Sequence, residues 1–185
     1  MAQSFLREIV WHGRGGQGVV VASTIFGAAA AIYEGKHAMS IPSFRAERRG
    51  APVMAFTRIS SDPIQKRSNI YRPSIVVVFD DSLFRVAAPL AGAVENATVI
   101  VNSKRSPAEL SIPASLQATT FDATSLALAI LGVPIVNTTM LGVLARVTGL
   151  VGLDSLKRAI ADVLPANLVE RNVAAAEAGY TGAGQ

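Results

Sequence analysis

A strand-like run, Leu6 to Trp11, turns into His12-Gly13-Arg14-Gly15-Gly16-Gln17-Gly18 and then into a long apolar stretch, Val19 to Tyr33. Nothing else in the chain restricts the fold as strongly. A strand that ends in a glycine-rich turn and opens a helix presents backbone N–H groups at the helix N-terminus. Glycine permits positive φ and lets a ligand or a second chain approach the backbone closely. Gly13, Gly15 and Gly18 also fit the dinucleotide spacing G-x-G-x-x-G.

A nicotinamide site needs more than that spacing. It wants an acidic residue at the end of the second strand, about 20 residues on, to hold the ribose hydroxyls. The second strand is read as Lys36 to Ile41, which runs into Pro42, Ser43 and Phe44 with no carboxylate at its end. Glu34 stands before it and Glu47 beyond it. A self-contained NAD site is therefore not expected. A tight turn that needs glycine only for packing explains the same residues. Arg14 inside the turn favours an anionic or protein partner.

The rest of the chain alternates strand and helix patterns. Gln17 to Glu34 reads as a helix, apolar nearly all round and so buried on more than one side, with Gly35 closing it. Val53 to Ser60 mixes β-branched and aromatic residues as a strand does. Ser74 to Phe79 is a continuous apolar run, the mark of a central strand buried on both faces. Further strands are expected at Ala97 to Asn102 and Leu116 to Phe121. Helices are expected at Leu83 to Leu90 (capped by Ser82), Ala123 to Leu131 (capped by Asp122), Thr139 to Thr148 (capped by Asn137 or Thr138), Asp154 to Leu164 and Ala166 to Ala178. The pattern predicts an α/β fold: a three-layer α/β/α sandwich with a mostly parallel, mixed sheet, because Val53 follows its predecessor after only a loop. Residues 1–180 form one domain in this reading, and 181–185 a flexible tail.

Composition limits the chemistry. Cysteine is absent, so the chain can supply no thiolate to an iron–sulfur cluster and no thiol nucleophile. With two histidines and no clustered carboxylates, no dedicated metal site is expected. Charged residues make up 16%, against an average of about 25%, while hydrophobic residues reach 50%. A chain this apolar is expected to bury part of its surface against other chains. The net charge of +4 is mild, and aromatics at 6% form no basic-aromatic platform, so nucleic acid is not expected. The N-terminal residues lack the pattern of a secretory signal, and no apolar run is long enough to span a membrane, so the cytoplasm is the expected compartment.

Few residues suggest reactivity. His12 is either a base or a structural histidine at a strand end. Asp80 and Asp81 close the central strand, where open α/β sheets place their ligand crevice, but a strand-to-helix junction also wants Asp as a cap. Ser43, Arg45, Glu47, Arg48 and Arg49 crowd one short loop. Arg offers a rigid fork for phosphate or carboxylate, and Glu47 can lock one of those forks. A solvated charged loop is the plainer explanation, although Pro42, Phe44, Gly50, Ala51 and Pro52 give it shape and apolar anchors. Asn137 and Thr138 offer small polar groups at a helix start, as a cap or a site rim. No Ser/His/Asp set and no Walker-type phosphate loop is present. By itself the chain reads as a binding or assembly module.

Five ordered stretches add a resemblance: GRGGQGVVVAS at 13–23, PSFRAERRGAPVMAFTRIS at 42–60, SIVVVFDDSL at 74–83, VIVNSK at 99–104 and PIVNTTMLGVLARVTGLV at 134–151. Together they resemble the gamma subunit of 2-oxoacid:acceptor oxidoreductases, with the pyruvate:ferredoxin and 2-oxoisovalerate:ferredoxin enzymes nearest by motif. The resemblance runs from Phe5 to about Tyr180. It implies an enzyme complex that converts a 2-oxoacid and coenzyme A to acyl-CoA and CO₂. It implies thiamine diphosphate, Mg²⁺ and iron–sulfur clusters held in alpha-, beta- and delta-type partner subunits, none by this chain alone. Electrons would pass to ferredoxin or to an NAD-linked subunit. The turn Gly13, Arg14, Gly15, Gly16, Gln17, Gly18 and the loop Ser43 to Pro52 would face the catalytic subunits. Arg14, Arg48 and Arg49 would pair across that interface or meet the phosphates of coenzyme A. The chain departs from the family at Arg45 and Ala46, where relatives usually carry Gly and often Pro. That departure keeps an aromatic 2-oxoacid such as phenylglyoxylate open as substrate. A stand-alone nucleotide-binding protein is the remaining alternative.

Overall fold

The computed structural model describes residues 4–43 and 50–184. Six strands form one sheet: β1 (Leu6–Arg14), β2 (His37–Pro42), β3 (Pro52–Ser60), β4 (Ile75–Val78), β5 (Thr98–Asn102) and β6 (Gln117–Phe121). Their spatial order is β2-β3-β1-β4-β5-β6. The pairs β1–β4, β4–β5 and β5–β6 are parallel, while β3 runs antiparallel to both of its neighbours. The helices are α1 (Val19–Ala28), α2 (Ala123–Leu131), α3 (Asn137–Thr148), α4 (Leu153–Val163) and α5 (Ala166–Gly182). The α/β sandwich with a mostly parallel, mixed sheet is therefore what forms.

The two faces of the sheet are covered differently. Ile9, Trp11, Ile75, Val77 and Ile100 alternate onto one face and pack against all five helices. Trp11 sits at its centre. Its ring meets Phe26 and Phe79 edge to face, at 6.0 and 6.3 Å between centroids. Its indole N–H donates to Thr57 Oγ1 at 2.9 Å, so the polar end of a fully buried ring is satisfied. Val76, Val78, Val99 and Val101 alternate onto the other face. That second outer layer is thin. It consists of a 3₁₀ turn, Asp81–Arg85, and of the irregular segments before and after it.

Several local expectations need correction. The helix expected at Leu83 to Leu90 is that short 3₁₀ turn, because Pro89 has no N–H to donate and disfavours helical backbone at Ala88. Asp80 caps it in place of Ser82, accepting the Ser82 amide at 3.0 Å. The first helix ends at Ala28 and passes into a π-helical turn, Ala29–Tyr33. At α3, Val136 is the N-cap, and Asn137 and Thr138 lie inside the helix. The last helix runs to Gly182, beyond the expected end at Ala178 and into the stretch read as a tail. It is held there by close packing on α3. A Cβ on Gly142 would stand 1.9 Å from the Ala176 carbonyl, and one on Gly179 would stand 2.2 Å from the Thr139 carbonyl.

Candidate functional site

The parallel strands β1, β4, β5 and β6 end along one edge of the sheet, and a cleft of about 1100 Å³ opens there. This is the edge at which open α/β sheets bind their ligands. Gly15, Gly16 and Gln17 form one wall, Asp80 and Asp81 the floor, and Ser103, Lys104 and Arg105 the far side. Val133, Pro134 and Ile135 give it an apolar rim.

The glycine turn is tied down on all sides. β1 stays paired to β3 as far as Arg14, opposite Pro52. Gly15 N then donates to Ala51 O at 2.9 Å, and Gly50 N to Gly15 O at 3.1 Å. Gln17 N donates to Arg14 O at 3.0 Å, while Gln17 Oε1 accepts Arg14 N at 2.8 Å. Two backbone amides that a dinucleotide loop would offer to a pyrophosphate, those of Gly15 and Gln17, are thus already bonded within the chain. Gly13 is required for packing: a Cβ there would stand 2.4 Å from Val19 Cγ2.

Arg14 turns inward. Its Nε donates to Asp80 Oδ2 at 2.9 Å, its Nη2 to Ser82 Oγ at 2.7 Å and its Nη1 to Gly50 O at 3.0 Å. One guanidinium therefore ties the end of β1 to the turn after β4 and to the residue where the basic loop rejoins the sheet. Burial pushes the Asp80 carboxyl upward, but the Ser82 hydrogen bonds and the Arg14 charge outweigh it and hold the group below its ordinary range.

The other cleft charges are also matched. Asp81 accepts from Ser103 Oγ at 2.6 Å and pairs with Arg105 Nη2 at 3.0 Å. Asp122 caps α2 by accepting Ser125 N at 3.0 Å and pairs with Lys104 Nζ at 3.4 Å. Burial raises the Asp122 carboxyl, but Ser125 and Lys104 bring its net shift downward. At both Asp80 and Asp122 the net effect favours the ionised carboxylate. Asn102 joins three elements: its Nδ2 donates to Phe79 O and to Thr124 Oγ1, both at 2.9 Å.

His12 lies away from the cleft, on the thinly covered face, lining a separate cavity of about 160 Å³ with Met54, Leu83 and Pro89. Burial lowers its pKa from 6.5 to about 4, against a smaller upward effect of its hydrogen bond to the Pro89 backbone. It is neutral at pH 7, and of the two readings of His12 the structural one fits. Among the described residues, no three His, Asp or Glu side chains come close enough to hold a metal ion.

The structure gathers only some of the candidate residues. Gly18 and Asn137 meet: a Cβ on Gly18 would stand 2.6 Å from Asn137 Nδ2. Thr138 points away, donating its hydroxyl to Asn172 Oδ1 on α5 at 2.9 Å. Ser43 follows β2 and donates its amide to Met54 O at 3.0 Å, on the far side of β3 from the glycine turn. Arg45, Glu47, Arg48 and Arg49 lie outside the described residues. The cleft also uses Asn102, Ser103, Lys104, Arg105 and Thr124, which were not among the candidate residues. Their signal was positional: they follow buried strands at the C-terminal edge of the sheet.

Comparison with known proteins is consistent along the chain. The family model described as pyruvate ferredoxin/flavodoxin oxidoreductase matches residues 8–182. A pyruvate synthase subunit PorC of Methanocaldococcus jannaschii is 46% identical over 173 residues, covering 94% of each chain. A common gamma subunit of pyruvate/ketoisovalerate oxidoreductases from Pyrococcus furiosus is 46% identical over 178 residues, covering 94% of this chain and 95% of the relative. The crystal structure of a pyruvate oxidoreductase subunit PORC from Thermotoga maritima superposes with a TM-score of 0.81 at 34% identity, covering 95% of this chain and 96% of that one.

Proposed function

The chain belongs to the pyruvate ferredoxin/flavodoxin oxidoreductase family, and we propose that it serves as the gamma subunit of a multi-subunit 2-oxoacid oxidoreductase. The complex converts a 2-oxoacid and coenzyme A to acyl-CoA and CO₂ and passes the electrons to ferredoxin or an NAD-linked subunit. Thiamine diphosphate, Mg²⁺ and the iron–sulfur clusters belong to alpha-, beta- and delta-type partners. The carrying observation is that the likeness to a gamma subunit of such oxidoreductases spans 94% of this chain and 95% of the relative. A chain without cysteine cannot itself ligate clusters through thiolates, which is consistent with this division of labour. We place the complex in the cytoplasm. No helix among the described residues is long and apolar enough to cross a membrane.

In this reading the glycine turn and the Ser43 to Pro52 loop face the catalytic subunits. Arg14 organises that face through Asp80, Ser82 and Gly50. Contact with the coenzyme A phosphates or with a partner carboxylate falls to Arg48 and Arg49, and Arg45 is assigned a part in the choice of substrate. Pyruvate or a branched 2-oxoacid is the leading substrate class, with an aromatic 2-oxoacid the second choice because of Arg45.

The stand-alone nucleotide-binding alternative finds little support. β3 separates β2 from β1, so the strand end that carries a ribose-binding acid in dinucleotide folds is displaced from the glycine turn.

The test is to prepare the chain alone and together with its thiamine-binding and cluster-binding partners. The expected result is a larger assembly by native mass spectrometry and coenzyme A-dependent 2-oxoacid oxidation only in that assembly. Turnover by the isolated chain with thiamine diphosphate would overturn the reading, as would failure to join any partner. Within the assembly, Arg49→Ala separates two roles. A raised KM for coenzyme A with an intact complex indicates ligand contact, and dissociation indicates assembly.

A further inference from the structure

Leu110, Ile112 and Leu116 help to close the face of the sheet that carries no α-helix, together with two other segments, residues 61–74 and 83–92. Those two segments lie against each other. Ile70 and Pro73 share the 160 Å³ cavity with Leu83 and Ala87. Gly92 sits so close to Tyr71 that a Cβ there would stand 2.1 Å from the Tyr71 carbonyl oxygen.

Their outer surface is unusual in two respects. Tyr71 and Val86 stand in solvent, 74% and 63% exposed. The same segments carry Lys66, Arg67, Arg72 and Arg85, all exposed, and none of the four makes an ion pair among the described residues. The one acid they contain, Asp62, already accepts hydrogen bonds from Ser4 and Ser61. The cleft is the opposite case, since Arg14, Lys104 and Arg105 there all have carboxylate partners. Uncompensated positive charge is thus concentrated on the thin face, around an exposed aromatic ring.

We propose that this face is a second docking surface of the chain and that it receives an acidic patch on another subunit of its own complex. This rests on the subunit reading given above. Tyrosine and arginine are the residue types that most often anchor interfaces, and unpaired cations select a partner of opposite sign. Four cations spread over two loops, with one exposed aromatic side chain, provide neither the groove nor the stacking platform that nucleic acid requires.

The test uses the chain with its partner subunits. Assembly is followed by native mass spectrometry across a salt titration, for wild type, Tyr71→Ala and the double variant Arg72→Glu/Arg85→Glu. Thermal melts check that each variant folds. The double variant should raise the apparent Kd about tenfold or more and flatten its salt dependence. Arg72→Gln and Arg85→Gln should each give a smaller loss in the same direction. Arg171→Glu, an exposed charge on α5, should leave assembly unchanged. Assembly of the charge-reversed variant at wild-type affinity would overturn the proposal. So would binding of a 20-nucleotide single strand by the isolated chain that is lost in that variant. If the wild-type chain joins no partner at all, the subunit reading itself fails and the docking surface falls with it.

Discussion

Gly18 and Asn137 meet where two helices begin. Gly18 is the N-cap of α1 with φ of 74°, and Asn137 opens the first turn of α3. A Cβ on Gly18 would stand 2.6 Å from Asn137 Nδ2, so the glycine turn and α3 lock against each other. Gly18→Ala combines left-handed backbone strain with this collision, and it is expected to cost about 2–4 kcal/mol in urea denaturation. Adding Asn137→Ala should restore the part due to the collision and leave the backbone part. A double-mutant cycle with no coupling would show that the two residues do not act on each other.

Arg58 is buried and pairs across β3 and β1 with the half-buried Glu8, its Nε 2.8 Å from Glu8 Oε1. The same guanidinium donates to the carbonyls of Lys66, Ser68 and Asn69 and so fastens the segment beneath the proposed docking surface. Glu8→Ala leaves a buried charge without its counter-ion and should cost about 3–5 kcal/mol. Arg58→Met removes the charge but releases that segment. It should be less damaging to global stability while increasing amide hydrogen exchange over residues 66–69. Equal exchange in wild type and Arg58→Met would contradict the fastening role.

His12 predicts a pH dependence. Its pKa is about 4 in the folded chain and returns to 6.5 on unfolding. Between those values the unfolded chain binds the proton and the folded chain does not. The His12 contribution to stability is therefore complete above pH 6.5, declines as pH falls through the window, and levels off below pH 4. The full change is about 3 kcal/mol. Urea midpoints of wild type and His12→Gln should diverge between pH 4 and 6.5 in this sense. Parallel curves would place the acid sensitivity elsewhere, on the carboxylates.

Much of the architecture was legible in the residues. The run Ile75–Val78 had to be a strand covered on both faces, and all four of its residues are buried. Asp122 was readable as a cap because it precedes an apolar helical stretch, and it caps α2. The glycine turn was readable from Gly13 to Gly18. The thin outer layer was not, since the apolar spacing of Leu83 to Leu90 also suits a helix and only Pro89 argues against one. The cleft was half legible. Asp80 and Asp81 drew attention, whereas Asn102, Ser103 and Arg105 are ordinary residue types that matter only through where their strands end.

The sequence by itself determined the local chemistry: a strand, a glycine turn and a helix in succession, buried β-branched strands, and a chain that cannot offer a thiolate. Such features depend on residues near one another along the chain, where periodicity and backbone freedom decide. Tertiary structure alone decided that β3 inserts between β2 and β1, and that Arg14 closes on Asp80 and Gly50 instead of reaching outward. It also decided that the positive charge left unpaired on residues 61–74 and 83–92 falls on one face. Strand order and ion pairing join residues dozens of positions apart. They are set by which faces must be buried together and which charges must be matched once they are.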